Sequence, residues 1–282
     1  MNIAIVGEST RTAVWEQHLR ALSHVEEVTI SGKPVYDRVD GCIIIQDAES
    51  RLSIVEDCVR RGVHVYLVSQ LPTDLPKLEK ISRLAEEAGV RVQFSHWPSY
   101  SPSTQWTKKL ITRSQLTQIR KEISASEFSH SNRSFDQHWL DEIGFILAFH
   151  RSEIRFVHAR PVFLSNMMTG LDITLVFEDS TLASLQFSIV GAEEFHQRML
   201  STQELMIDTN VGRQFCRQIT VNDKQRVSIQ SKSFDPKHTA EQSVSHFVAS
   251  IHTGRRPDFG IYDAVRLIRA FEKVRSQLRM VS

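Results

Sequence analysis

The turn behind the first apolar run of this chain is short of glycine. Asn2-Ile3-Ala4-Ile5-Val6-Gly7 reads as a buried strand closing on a glycine. Trp15, Leu19 and Leu22 follow at helical spacing. A strand–turn–helix of this kind carries G-x-G-x-x-G when it receives a dinucleotide, because its backbone must approach a pyrophosphate closely. Here the run is Gly7-Glu8-Ser9-Thr10-Arg11-Thr12. Ser9 and Thr12 hold the places of the second and third glycines, and Glu8 adds a negative charge where a diphosphate would lie. The pattern speaks for the fold more strongly than for the cofactor.

Other absences narrow the class. Only three cysteines occur, Cys42, Cys58 and Cys216, and no two form a C-x-x-C pair. Such spacing suits buried thiols in a reducing compartment rather than a disulfide framework. Neither sign of charge dominates: 34 basic against 33 acidic residues leave a net +1, which gives no reason to expect nucleic acid or an anionic membrane as partner. No apolar run reaches membrane-spanning length, and no leader pattern precedes the first strand, so the expected location is the cytoplasm. The twelve histidines show no H-x-x-x-H or Cys/His spacing, so no metal site is expected, and there is no G-x-S-x-G nucleophile turn.

The apolar patterning divides the chain into two parts, 1–112 and 113–282. The first part alternates strands (3–6, 27–30, 42–45, 63–68, 90–94) with helices, which predicts a parallel sheet covered on both faces. Gly62 and Gly89 are placed to end helices, and Asp74 to begin one. Only ten residues, 31–40, separate the second strand from Gly41. Extended, they reach roughly 33 Å, enough to cross a sheet but not to build a strand–helix unit. The sheet is therefore expected to lack one such unit at the edge that supports the adenosine end of a dinucleotide. The second part shows long alternating stretches (119–128, 154–163, 172–177, 182–190, 199–207, 214–221). They predict an open, mostly antiparallel sheet with one wet face, interrupted by a helix at 135–149 and followed by two helices. The whole reads as α/β, a Rossmann-like sheet followed by an α+β domain.

This order of elements resembles the Gfo/Idh/MocA oxidoreductases, the family of glucose–fructose oxidoreductase and inositol dehydrogenase. The residues that carry the resemblance are Val39-Asp40-Gly41-Cys42-Ile43-Ile44-Ile45, Gly62-Val63-His64-Val65, 84–90, His138-Trp139-Leu140-Asp141 and 245–257. It implies NAD or NADP as cofactor, a sugar or polyol as substrate, an interdomain cleft for the small molecule, and a homodimer formed through the second-domain sheet. The family's motifs transfer incompletely. Its glycine fingerprint keeps Gly7, while the acid that binds the ribose is replaced by Ser31-Gly32-Lys33, a set suited at most to a 2′-phosphate. Its Thr-Pro-Asn stretch falls on Gln46-Asp47-Ala48 and the following His on Arg51. Its Glu-Lys-Pro motif falls near Val68-Ser69-Gln70, without the lysine; Lys77 lies a helix turn further on. The Gly-His-x-x-Arg region becomes Ser95-His96-Trp97-Pro98-Ser99, and the Asp-x-x-x-His pair becomes Ser134 and His138.

His138 is the leading chemical candidate, because Asp141 and Glu142 lie three and four positions on and either can orient its imidazole. His96, Trp97 and Tyr100 follow the last strand of the first domain, where ligands of open α/β sheets bind. Residues expected near a cofactor are Gly7, Ser9, Thr10, Arg11, Ser31, Lys33, Gln46 and Arg51, with Arg11 and Arg51 able to bind an anion together. His64 reads as structural. Apolar alternation around Leu182, Leu185 and Phe187, or on the opposite face, is expected to form an interface. Two readings lead, and a third stays open behind them, a non-redox enzyme that uses His138 or His96 for elimination or hydrolysis. In one, the nicotinamide and catalytic sites are largely eroded, and the protein is a homodimer that binds a small ligand or a partner, with no cofactor. In the other, it is an active NAD(P)-dependent oxidoreductase in which His138, and with it Tyr100 or His96, moves the proton.

Overall fold

The structure is a computed structural model that describes residues 1–45, 51–131, 133–191, 193–222 and 224–281. In chain order the elements begin β1 (Asn2–Gly7), α1 (Ser9–Arg20), β2 (Glu27–Ser31), β3 (Gly41–Ile45), α2 (Arg51–Arg60), β4 (His64–Leu67), α3 (Leu75–Ala88), β5 (Val92–Phe94) and α4 (Trp97–Tyr100). Next come α5 (Pro102–Leu110), β6 (Leu116–Ser124), α6 (Ala125–His130), α7 (Phe135–Phe149), β7 (Ile154–Leu164), β8 (Met167–Phe177) and β9 (Leu182–Gly191). The chain ends with β10 (Phe195–Ser201), β11 (Leu205–Asn210), β12 (Phe215–Val221), β13 (Val227–Ser233), α8 (His238–Thr253) and α9 (Ile261–Val281). These make two compact units, 1–100 with 237–268, and 101–236 with 269–282.

The first unit carries a five-stranded parallel sheet in the order β2-β1-β3-β4-β5. The short link 32–40 brings the chain from β2 across β1 to β3 with no helix or strand between, as its length requires. β1 and β3 are buried almost throughout, the apolar run of a strand covered on both faces. Ile3, Ile5, Trp15, Leu19, Ile43 and Tyr66 pack with Val244, Phe247 and Val248 of α8. Each such side chain stabilises the fold by about 1.5–3 kcal/mol. The Tyr66 hydroxyl bonds Ser243 Oγ at 2.9 Å, and Gln93 donates to the Ser243 carbonyl at 2.8 Å, so α8 is held by polar as well as apolar contacts. Asp74 caps α3 by accepting from the Lys77 N–H, and Gly89 ends it in the left-handed region at φ 66°. His64 Nδ1 accepts from the Arg91 N–H at 2.9 Å, a structural role.

The second unit is built on an eight-stranded sheet in the order β13-β12-β11-β10-β6-β9-β8-β7. Every pair is antiparallel except β6 with β9. Two corrections to the sequence reading arise here. The stretch 119–128 is not one strand: β6 ends at Ser124, whose side chain accepts from the Glu127 N–H and starts α6. A serine three residues before a glutamate is a helix-start signal that local alternation masked. Leu185 and Phe187 belong to the core, at 0% and 3% exposure. The exposed apolar surface lies instead on Phe156, Val162, Phe163, Leu164 and Met167 of β7 and β8. Among the described residues no helix is long and apolar enough to cross a membrane.

Candidate functional site

Helix α7 buries four polar side chains along a mostly apolar sequence. Most of its length is buried, as its mostly apolar sequence dictates, yet Gln137, His138, Asp141 and Glu142 are buried with it. Ser134 caps it. His138 and Glu142 are one turn apart and share a face. On β6 the two-residue period puts Lys121 on the side of buried Ile119 and Ile123; on β10 it puts His196 with Arg198 and Leu200. Antiparallel pairing sets His196 directly opposite Lys121 and Arg198 opposite Ile119.

Glu142 is the hub. At 1% exposure it accepts from Arg198 through both oxygens, at 2.8 and 3.0 Å. Its Oε1 is also 3.5 Å from Lys121 Nζ and 3.2 Å from His196 Nε2, the latter off the hydrogen-bond axis. Burial pushes its carboxyl up, but Arg198, His196 and Lys121 outweigh that and hold it well below the usual carboxylate range. The Arg198 guanidinium lies 4.2 Å from the centre of the Phe145 ring. Lys121 donates to the His138 carbonyl at 2.8 Å, and burial lowers its ammonium against the pull of Glu142 and Asp141.

His138 differs from the buried His150. His150 uses both ring nitrogens, each 2.9 Å from a threonine hydroxyl, Thr117 and Thr181. His138 Nε2 is buried and has no hydrogen-bond partner among the described residues. Its ring stacks on Phe187 at 6.0 Å, with Phe128 at 5.6 Å. Burial first, then Lys121 and Arg133, lowers its pKa to about 4, so the imidazole is neutral at pH 7. Neither neighbouring carboxylate serves it as the sequence suggests: Asp141 pairs with Arg133, and Glu142 with Arg198. A cavity of about 750 Å³ opens at this place, lined by Lys121, Arg133, His138, His196 and Arg213, with Glu127, Glu193 and Glu194 also on its wall.

The other sequence candidates belong to the first unit, apart from Asp141. His96 is 3% exposed, bonds Ser99 Oγ through Nδ1 at 2.7 Å and stacks on Phe259 at 4.1 Å. Trp97 is partly exposed and stacks on Trp15 at 6.3 Å. Tyr100 is fully buried, and burial raises its hydroxyl well above the ordinary range. At the end of β1, Gly7 is forced by packing: a Cβ there would stand 2.8 Å from the Ile45 carbonyl. Thr12 is buried against the same point, its methyl 3.4 Å from that Cβ position. Glu8 takes the N-cap position of α1 in extended backbone and makes no side-chain cap bond. Ser31 accepts from the Lys33 N–H, and Lys33 is exposed. Arg51 is the first residue of α2. Gln46 lies outside the described residues, as do the side chains of Ser9, Thr10 and Arg11. Lys121, His196 and Arg198, absent from the sequence reading, come from strands far apart in the chain; a basic residue on the apolar side of an alternating strand was the available signal.

The sequence matches no protein-family model and no curated protein. Solved structures match over nearly the full length. UDP-N-acetylglucosamine 3-dehydrogenase GnnA from Acidithiobacillus ferrooxidans is 14% identical, with 99% of this chain and 98% of that one covered, at a TM-score of 0.83. This is the two-domain Rossmann-like oxidoreductase fold. Levoglucosan dehydrogenase in complex with NADH follows at 10% identity, 100% and 98% coverage and a TM-score of 0.79. Scyllo-inositol dehydrogenase from Lactobacillus casei, with bound NAD(H) and scyllo-inositol, is 15% identical over 100% and 98% of the chains at 0.73. All three neighbours are dehydrogenases, two of them holding NADH or NAD(H), and the likeness at such identities is one of fold.

Proposed function

We propose that this protein binds a small polar metabolite in the α7–β6–β10 cavity of its second unit, and does so without a dinucleotide. The observation that carries the reading is the buried, unpartnered Nε2 of His138 in a cavity large enough for a monosaccharide-sized molecule. A buried polar atom left unpaired costs free energy, so a ligand atom that meets it is favoured. The cross-strand pair Lys121 and His196, with Arg198 beside His196 on β10, forms the surroundings of that atom, as a preformed site requires.

The turn after β1 is a poor match for a dinucleotide. Thr12 takes up the close approach that a third glycine opens. Glu8 stands with its carboxylate at the N-terminus of α1, where a diphosphate would meet like charge. No acid ends β2 to hold a ribose. A second reading, an NAD(P)-dependent sugar or polyol oxidoreductase, is favoured by the full-length likeness to a dehydrogenase that holds NADH. There, neutral His138 is the proton acceptor, and Ser31 with Lys33 selects NADP. The exposed apolar strip on β7 and β8 fits a homodimer contact in either case.

Calorimetric titration with NADH and NADPH separates the two. No binding up to millimolar cofactor is the expected result. Micromolar binding, with turnover of sugars or polyols that disappears in His138→Ala, would establish the second reading instead.

A further inference from the structure

We infer that the ligand of the second-unit cavity is a monocarboxylate of monosaccharide size, whose carboxylate sits against Lys121 and His138. The inference rests on the reading of that cavity as a small-ligand site and names the chemistry it selects.

The argument begins with the charges around Glu142. Arg198 takes both carboxylate oxygens in a bidentate pair, a complete match of one cation to one anion. Lys121 is a second cation, 3.5 Å from an oxygen already in use, and only 12% of its side chain is exposed. His196, facing the same oxygen, is neutral at pH 7, with a pKa lowered to about 4 by burial. The other pair on the wall, Arg133 with Asp141, is balanced. One positive charge is therefore left over at the buried end of the cavity, where low dielectric makes it expensive and where a bound anion would balance it. His138 lines the same cavity, and its Nε2, buried and without a hydrogen-bond partner among the described residues, is the second polar group beside Lys121.

Charges on the outer wall limit how negative the ligand can be. Glu127, Glu193 and Glu194 are exposed, and Arg213 is the exposed cation among them. Glu122 is a fourth acid on the wall, paired with Arg120; the other three against one basic group disfavour a phosphate or diphosphate, while a single carboxylate that reaches the inner end escapes most of this repulsion. The cavity thus favours one negative charge over none, and one over two.

The test uses three probes of one size: D-glucose, D-glucuronate and D-glucose 6-phosphate. Each is titrated calorimetrically into the full-length protein and into Lys121→Met. The expected order has glucuronate binding at least tenfold tighter than either other probe, the scale of one charged hydrogen bond. Lys121→Met is expected to abolish that preference while unfolding at the same or higher denaturant concentration, because it removes the one cation in excess of the buried carboxylates. Glucose or glucose 6-phosphate binding as tightly as glucuronate overturns the inference and leaves the ligand site standing. A marked loss of stability in Lys121→Met also overturns it, since Lys121 would then be a structural counter-charge. Binding of none of the three overturns both the inference and the ligand-site reading.

Discussion

Replacing Glu142 by glutamine probes the buried cluster most directly. The carboxylate is buried, holds both guanidinium bonds of Arg198, and faces Lys121 and His196 through the same oxygen. Glutamine preserves the shape and one acceptor, but turns an NH2 toward a group that can only donate. Arg198 then loses its counter-charge inside the protein. Breaking a buried pair from one side costs about 3–5 kcal/mol, a large share of the roughly 5–15 kcal/mol that holds a domain folded. Urea unfolding should show the loss, and hydrogen exchange should place it on α7 and β10. The double variant Glu142→Leu with Arg198→Leu removes both partners, so its cost should fall short of the summed single costs by about 2 kcal/mol or more. Glu142→Gln unfolding within about 1 kcal/mol of the parent, or strict additivity in the double variant, would refute the account of Glu142 as the hub.

Three further outcomes are expected. His196 has a pKa lowered from 6.5 to about 4 by burial, with Glu142, Arg198 and Lys121 facing it, and His138 is lowered likewise with Lys121, Arg133 and Asp141 around it. The unfolded chain therefore takes up protons between about pH 6.5 and 4 that the folded chain refuses. Stability should fall across that window on acidification, by on the order of 3 kcal/mol for His196 alone, and unfolding curves at pH 7 and 4.5 with equal midpoints would contradict this. Gly7→Ala places a methyl 2.8 Å from the Ile45 carbonyl, which is backbone and cannot swing aside; a loss of about 1–3 kcal/mol by thermal melting is expected. Phe163→Asp with Met167→Lys should convert a dimer to a monomer in sedimentation equilibrium, and a parent protein that is already monomeric would remove the proposed contact.

The layout of the first unit was legible because its signals are local. A ten-residue link leaves no room for a helix, a run such as Cys42–Ile45 has to be covered on both faces, and Asp74 and Gly89 mark helix ends by their own chemistry. His138 was legible too, as a histidine on an otherwise apolar helix. Its surroundings were not. Two carboxylates at helical spacing suggest orienters for the ring, yet each is drawn off by an arginine, Arg133 eight residues before Asp141 and Arg198 on a strand far down the chain. The pairing of Lys121 with His196 depends on which strand lies beside β6, and alternation tells which face a residue takes but not which neighbour it meets. The same limit misplaced the exposed apolar strip: Leu185 alternates as a surface strand residue would, and is buried because it shares the face of β9 on which Phe187 packs against Phe135 and His138 of α7.

The position of β6 has a consequence for how this protein comes to hold its site. β9 and β10 are consecutive in the chain and yet do not touch, because β6 lies between them. The runs β7-β8-β9 and β10-β11-β12-β13 each pair neighbours in sequence, while β6, the earliest strand of the unit, pairs with β9 and β10, both far down the chain. Loop closure over such distances is slow compared with a hairpin. Lys121 sits on that strand, and a chain cut short before β10 would carry Lys121 and Glu142 with neither His196 nor Arg198 to complete them.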